Sequence, residues 1–256
     1  MKKYTTFIII LLSLFFLTGC IKKDEPVDDL SEILKKGYIT IGVKSDSPPF
    51  GYYKDGKRSG FDIELSKEIA SYIFNDSSPD KVQFVDVTPQ NRISKLNSKD
   101  VDILVATMSV NEKRKLVINF SAPYFVTGLK LMVKKGSKIV SLNQFSSKNK
   151  LVVIMGTTGE KVARMVSPNA SLIGAKTYNE AFNYLQNNQA DGILGDEVIL
   201  KDFLNENYRI VNRAYSREYY AVATRKQEES KELLNKINIV IAKVLDEKKL
   251  DLNKKI

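Results

Sequence analysis

YITIGVKSDSPPFGYYKDGKRSGFDIELSKEIASYIF, residues 38 to 74, decides the fold. Its first six residues form a β-branched run with the length of a buried strand. Its last fourteen place Ile63, Ile69, Ile73 and Phe74 on one side at helical spacing, with Asp62, Glu64, Lys67 and Glu68 largely opposite. A strand followed by an amphipathic helix is the unit from which α/β proteins with largely parallel sheets are built.

The unit recurs downstream. VQFVDV (82–87) reads as a strand, Pro89 suits the first helical turn of QNRISKL (90–96), and VDILVA (101–106) is the next strand. After NEKRK (111–115), INFSAPYFVTGLKLMV (118–133) is extended through most of its length. A second set begins at LVVIM (151–155), which runs into Gly-Thr-Thr-Gly at 156–159 and a helix. It continues through a helix NEAFNYLQNN (179–188), a strand DGILG (191–195), a helix EVILKDFL (197–204) and a strand YYAVATR (219–225). A charged amphipathic helix from about Glu228 to Asp246 closes the pattern. Two sets of α/β units predict two lobes.

Composition narrows the chemistry. The chain has 256 residues, Lys+Arg 40 against Asp+Glu 30, no His, no Trp and one Cys. Without imidazole, Ser-His-Asp and Cys-His catalysis are excluded, and zinc would have to be held by carboxylates and a lone thiolate, which a structural site does not favour. A single Cys forbids an intramolecular disulfide. The net charge of +10 does not point to nucleic acid, because 32 of the basic residues are Lys spread along the chain, as on a solvated surface.

The N-terminus reads as an address. Met1-Lys2-Lys3 is a positive start and Phe7 to Leu17 is an apolar run interrupted by Ser13, as in an export signal. The run is shorter than the roughly 18 to 20 apolar residues of a transmembrane helix, and no later segment reaches that length. Leu17-Thr18-Gly19-Cys20 resembles the lipobox of bacterial lipoproteins, which implies a signal peptide over 1–19 and diacylglyceryl and acyl (palmitate) chains on Cys20. Two or more chains hold a protein stably at a membrane. IKKDEPVDDL (21–30) is polar and acidic, so residues 20–30 are expected to be the lipidated Cys and a flexible tether.

GVKSDSPPFGYY (42–53), GFDIEL (60–65), NRISKL (91–96), VDILVATMSVNEKR (101–114), FSAPY (120–124), GTTGE (156–160), ADGILGD (190–196) and YAVATRK (220–226) occur together in order. In these blocks the chain resembles the solute-binding proteins of amino-acid ABC transporters, the polar amino-acid family (family 3), over about residues 31–245. The resemblance implies an α/β, two-lobed periplasmic-binding-protein-like (type II, Venus flytrap) fold with two hinge strands. Lobe I would be 31–124 plus 220–256 and lobe II 128–216, with hinges near 124–128 and 216–220. It implies a monomeric, extracytoplasmic receptor that is not an enzyme, has no cofactor or metal, and hands a free amino acid to a membrane permease.

A zwitterion needs an anion clamp and a cation acceptor. The resemblance assigns the α-carboxylate to Arg114 through a bidentate fork, with Ser109 and the backbone at Thr107 beside it. It places Gly156, Thr157 and Thr158 across the cleft, where a strand running into a helix offers free N–H groups to an anion. Asp196 would accept the α-ammonium; read alone it is equally a helix N-cap. Lys44, Asp46, Phe50 and Arg92 fall on segments that face the pocket in the family. Paired basic groups at 44 and 92 resemble members that bind glutamate or aspartate, while Lys44 alone reads equally as solvated and Phe50 as pocket wall or core. Thr107 stands where the family commonly has glycine. The expected function is capture of a polar, acidic amino acid, with cystine, cysteine or glutamine as alternatives. A cyclohexadienyl-dehydratase-like enzyme, with Asp196 or Glu160 as acid or base, and an adhesin are lesser ones.

Overall fold

A nine-stranded sheet runs through this computed structural model, which describes residues 28 to 247, as two mostly parallel halves, the first and second sheets, joined by one long antiparallel pair of strands. The expected signal peptide, Cys20 and most of the tether lie outside the described residues. Strand β1 (Ile39–Val43) is central in the first sheet, with β5 (Val82–Asp86) and β6 (Ile103–Val105) parallel on either side. Helices α2 (Phe61–Phe74) and α3 (Arg92–Asn97) make the crossovers. Between β1 and α2 the chain folds into a small antiparallel sheet of β2 (Asp46–Ser47), β3 (Gly51–Lys54) and β4 (Lys57–Ser59), none of which the sequence pattern predicts.

The second sheet centres on β8 (Lys150–Ile154), with β9 (Ser171–Ala175) and β10 (Gly192–Asp196) parallel to it. Its helices are α5 (Thr158–Val166), α6 (Tyr178–Gln186) and the single turn α7 (Glu197–Leu200). The helix expected over 197–204 tightens into a 3₁₀ turn at Lys201–Phe203. Between the sheets run β7 (Ile118–Lys134) and β12 (Ser216–Arg225), antiparallel from Ser216 opposite Leu129 to Arg225 opposite Ile118. β12 continues to β6 and β7 to β10, so the pair belongs to both halves. The molecule therefore has two lobes connected by two crossing strands. A short β11 (Tyr208–Ile210) adds to β7, and α8 (Lys231–Asp246) packs on α2 and β7.

Alternation along the strands puts side chains on both sheet faces and gives separate cores. The largest runs through both lobes, from Ile41, Val43 and Phe50 by way of Tyr124 and Tyr220 to Tyr178 and Leu185. Leu131, Val153 and Leu194 form a second, and Leu96, Leu104 and Met108 a third.

Two sequence expectations are corrected here. Helix α1 (Asp29–Lys36) starts inside the segment expected to be tether: Asp28 caps it through Ser31 N–H and Gly37 ends it at φ 82. Asp29 is fully buried, pairing with Arg225 and accepting from Ser230 and Gln227, so residues 28–30 belong to the fold. Asp62, placed by helical spacing on the polar side of α2, is also fully buried. In both cases the burying partners come from elsewhere in the chain, which local periodicity does not report.

Candidate functional site

The segment after β6 carries the first half of the site. Met108 and Val110 pair with β12, through Ala221 N–H to Met108 O at 3.1 Å and Val110 N–H to Tyr219 O at 2.9 Å, which fixes Ser109 beside the crossing strands. Asn111 then caps the one-turn helix α4 (Glu112–Lys115), accepting from Arg114 N–H at 2.9 Å. That cap turns the Arg114 side chain inward, where it is buried. Its Nη1 donates to Ser109 O at 2.6 Å and its Nη2 to Gly156 O of the other lobe at 3.1 Å. Burial lowers its pKa, against the attraction of Glu218 and Asp196.

At Gly156 the lobes approach so closely that a side chain does not fit. Its φ is +78, and a Cβ there would lie 2.9 Å from the carbonyl of Pro89 on lobe I. Its N–H is taken by the Glu160 carboxylate at 2.8 Å, and Thr157 Oγ1 caps α5 through Glu160 N–H. Part of the anion-binding turn expected from sequence is thus occupied by the chain's own Glu160. Thr158 Oγ1 donates to Glu218 of β12 at 2.8 Å.

Asp196 ends β10 at the N-cap position of α7 yet makes no cap bond. Its side chain turns into the cleft instead. Oδ2 accepts from the Tyr178 hydroxyl at 2.9 Å, and the same hydroxyl accepts from Asp196 N–H at 3.1 Å. Gly195 makes room for this tyrosine, since a Cβ there would meet the ring at 2.8 Å. Oδ1 is buried without a hydrogen bond of full geometry among the described residues, as is the hydroxyl of Tyr220 on β12, which acts on the same carboxylate. Desolvation, helped by Glu218, pushes the carboxyl up to about 6.

Lys44 and Asp46 are both buried and form an ion pair at 2.6 Å. The other oxygen of Asp46 accepts Tyr178 N–H at 3.1 Å across the cleft. Burial lowers the Lys44 pKa, offset by Asp46. Lys44 is therefore neither solvated nor a free cation. Arg92, 3% exposed, donates from Nη1 to Ala106 O at 2.7 Å, while its Nε has no partner among the described residues. Burial and the like charge of Arg114 lower its pKa to about 9. Phe50 does not line the cleft: it is fully buried, edge-on to Phe61, Phe125 and Tyr220 beneath the crossing strands.

Lys44, Arg92, Thr107, Ser109, Arg114, Thr157, Thr158 and Asp196 thus line one space, with Pro89 and Tyr178. It offers only about 10 Å³ to the centre of a water molecule, roughly one water's worth. A wider groove of about 570 Å³ leads outward from Arg114 between Leu116 and Lys161. Tyr178, Tyr220, Glu218 and Asp62 were not expected at or behind the site. Their partners lie up to 132 residues away, so no local pattern marks them.

A guanidinium at Arg114 and a buried carboxylate at Asp196, lining one cleft between the lobes, are the anion clamp and cation acceptor that a zwitterion requires. The sequence matches the model of the bacterial extracellular solute-binding proteins, family 3, over residues 39–255. The chain belongs to this family. This solute-binding protein is 33% identical to the ABC transporter glutamine-binding protein GlnH of Bacillus subtilis, covering 98% of this chain and 95% of that one. It is 31% identical to the glutamine-binding protein of Geobacillus stearothermophilus over 87% of this chain and 92% of that one. Among solved structures it resembles the solute receptor for L-cysteine of Neisseria gonorrhoeae, with TM-score 0.80, 29% identity and coverage of 88% and 90%. Family membership places the solute-binding protein outside the cytoplasm.

Proposed function

We propose that this protein binds a free polar amino acid with an uncharged side chain, glutamine first among them, and delivers it to an ABC permease. The observation that carries the reading is Asp196, a buried carboxylate whose Oδ1 has no hydrogen bond of full geometry among the described residues, with only the Tyr220 hydroxyl acting on it beside Tyr178, and with Arg92 and Arg114 as its nearby cations. An α-ammonium completes Asp196, and an α-carboxylate completes Arg114 and the N–H groups at the start of α5. Charge-assisted hydrogen bonds contribute about 1.5 to 3 kcal/mol each.

Charge balance supports the neutral side chain. Lys44 is cancelled by Asp46, and Arg114 and Arg92 face Asp196 and Glu218. A zwitterion leaves that balance unchanged, whereas a glutamate would bury one further negative charge. The unpartnered Nε of Arg92 favours a side-chain acceptor oxygen, which an amide provides. It is also the one observation that favours the acidic reading, glutamate or aspartate. Because the closed space is far smaller than an amino acid, admission requires the lobes to part, and binding is their closure around the ligand.

We read the protein as non-enzymatic. Glu160 is engaged in capping Gly156 and pairing with Arg164, and the carboxylate that acts on Asp196, Glu218, is held by the hydroxyls of Thr158 and Ser216 rather than poised as a proton carrier. The lipid anchor at Cys20 is part of the same proposal; release of a Cys20→Ser variant from the membrane fraction, and loss of palmitate labelling, would test it. Titration calorimetry against the twenty amino acids and cystine tests the ligand. Glutamine binding more tightly than glutamate is expected, and the reverse order would restore the acidic reading.

A further inference from the structure

Behind the site, the peptide group joining Ala106 to Thr107 is held from both ends, by a guanidinium and by a carboxyl group. Arg92 Nη1 donates to Ala106 O at 2.7 Å, and Thr107 N–H donates to Asp62 Oδ2 at 3.0 Å. The peptide dipole thus points its oxygen at a cation and its hydrogen at a carboxyl oxygen. Asp62 is fully buried in the first turn of α2, and its Oδ1 accepts from the hydroxyl of Tyr124 on crossing strand β7 at 2.9 Å. Thr107 needs such a clamp. Its φ is +45, a left-handed conformation that a β-branched residue rarely adopts and that costs on the order of one to a few kcal/mol. Thr107 itself and Ser109, two residues on, line the ligand space.

We propose that Asp62 is a positioning residue for amino-acid binding: it locks Thr107 in its left-handed turn and ties that turn to the crossing strand, so that Ser109 and Arg92 meet the ligand in register. The inference rests on the amino-acid-binding reading. Asp62 touches no ligand; it acts through the 106–107 peptide, and Arg92 loses its backbone anchor when the peptide turns away. Burial raises Asp62 to about 7, as expected of a carboxylate kept in the interior for its geometry rather than for its own stability.

The test is a cycle in the full-length protein, with L-glutamine affinity read by titration calorimetry and folding by circular dichroism and melting. Asp62→Ala is expected to weaken binding at least tenfold. Glycine takes the left-handed turn unaided, so in a Thr107→Gly background the same change is expected to cost less than about threefold. A tenfold loss in both backgrounds, or no loss in either, overturns the positioning role. If Asp62→Ala does not fold, Asp62→Asn decides: its amide oxygen can keep the bond from Thr107 N–H while its NH2 donates to the Tyr124 hydroxyl instead of accepting from it, and the charge is removed; a loss of about threefold that disappears in the Thr107→Gly background is expected, an equal loss in both overturning the proposal. If the unsubstituted protein binds another amino acid instead of glutamine, the same cycle is read with that ligand; if it binds none of the twenty nor cystine, the binding reading itself fails and the inference falls with it.

Discussion

Replacing Asp196 by asparagine is expected to make the ligand-free protein more stable while removing its function. Burial and Glu218 raise this carboxyl from 3.8 to about 6, net of the attraction of Arg92. A rise of about two units places on the order of 3 kcal/mol against the folded state whenever the group is ionised. Asparagine keeps an acceptor for the Tyr178 hydroxyl and removes the charge. Since the folded state holds the proton more tightly than the unfolded one, the carboxylate costs stability as pH rises from about 4 to about 6. The gain from asparagine is thus complete above about pH 6 and vanishes below about pH 4, where aspartic acid is neutral in both states. In a protein of this size about 1 kcal/mol moves the melting temperature by roughly 2–4 °C, so a rise on the order of 5–10 °C is expected near neutral pH and almost none near pH 3.5. Calorimetric melting at both pH values measures this. Titration with glutamine should show at least a hundredfold loss, because a buried ammonium left unpaired costs about 3 to 5 kcal/mol. A variant that melts below the parent at neutral pH, gains equally at both, or keeps its affinity would refute the reasoning.

Other substitutions probe the remaining parts. Arg114→Ala should eliminate measurable heats of glutamine binding with an unchanged circular dichroism spectrum, since the lost charge-assisted bonds amount to more than a factor of ten; retained affinity would remove Arg114 from the site. Gly156→Ala puts a Cβ 2.9 Å from the Pro89 carbonyl, so it should hold the lobes apart, and small-angle scattering should show no contraction on adding glutamine. Asp46→Asn strands the buried Lys44 charge and is expected to lower stability by about 3 kcal/mol in urea titrations. A second change, Lys44→Met, should recover most of it, and failure to recover would mean that the pair is not what Asp46 supplies.

Alternating strands and helices were legible because burial on a sheet or helix face imposes a period on nearby residues. Arg114 and Asp196 were legible for a different reason: they stand in blocks whose order resembles a known family. Lys44 shows where such reading stops. Its charge looks available in GVKSD, but whether it is depends on Asp46 two residues later turning back on it. Tyr178 falls just before the helix read over 179–188, and only the return of β10, 18 residues later, puts Asp196 on its hydroxyl. Asp62 was sorted by helical spacing to the solvent side, whereas its partners Thr107 and Tyr124 come from a loop and a crossing strand that spacing within α2 cannot encode.

The crossing ladder of β7 and β12 also acts as a ruler. Glu218 lies opposite Thr127, Tyr220 opposite Phe125 and Ser216 opposite Leu129, while Asp196 is indexed to the same strand at Leu129. Side chains alternate faces along a strand, so deleting one residue between Pro123 and Leu129 would exchange inward for outward positions on everything beyond. The two half-sites would then fold correctly and face each other out of phase. Loops elsewhere can lengthen or shorten as lineages diverge, but this stretch must keep its residue count for the cleft to remain a single site.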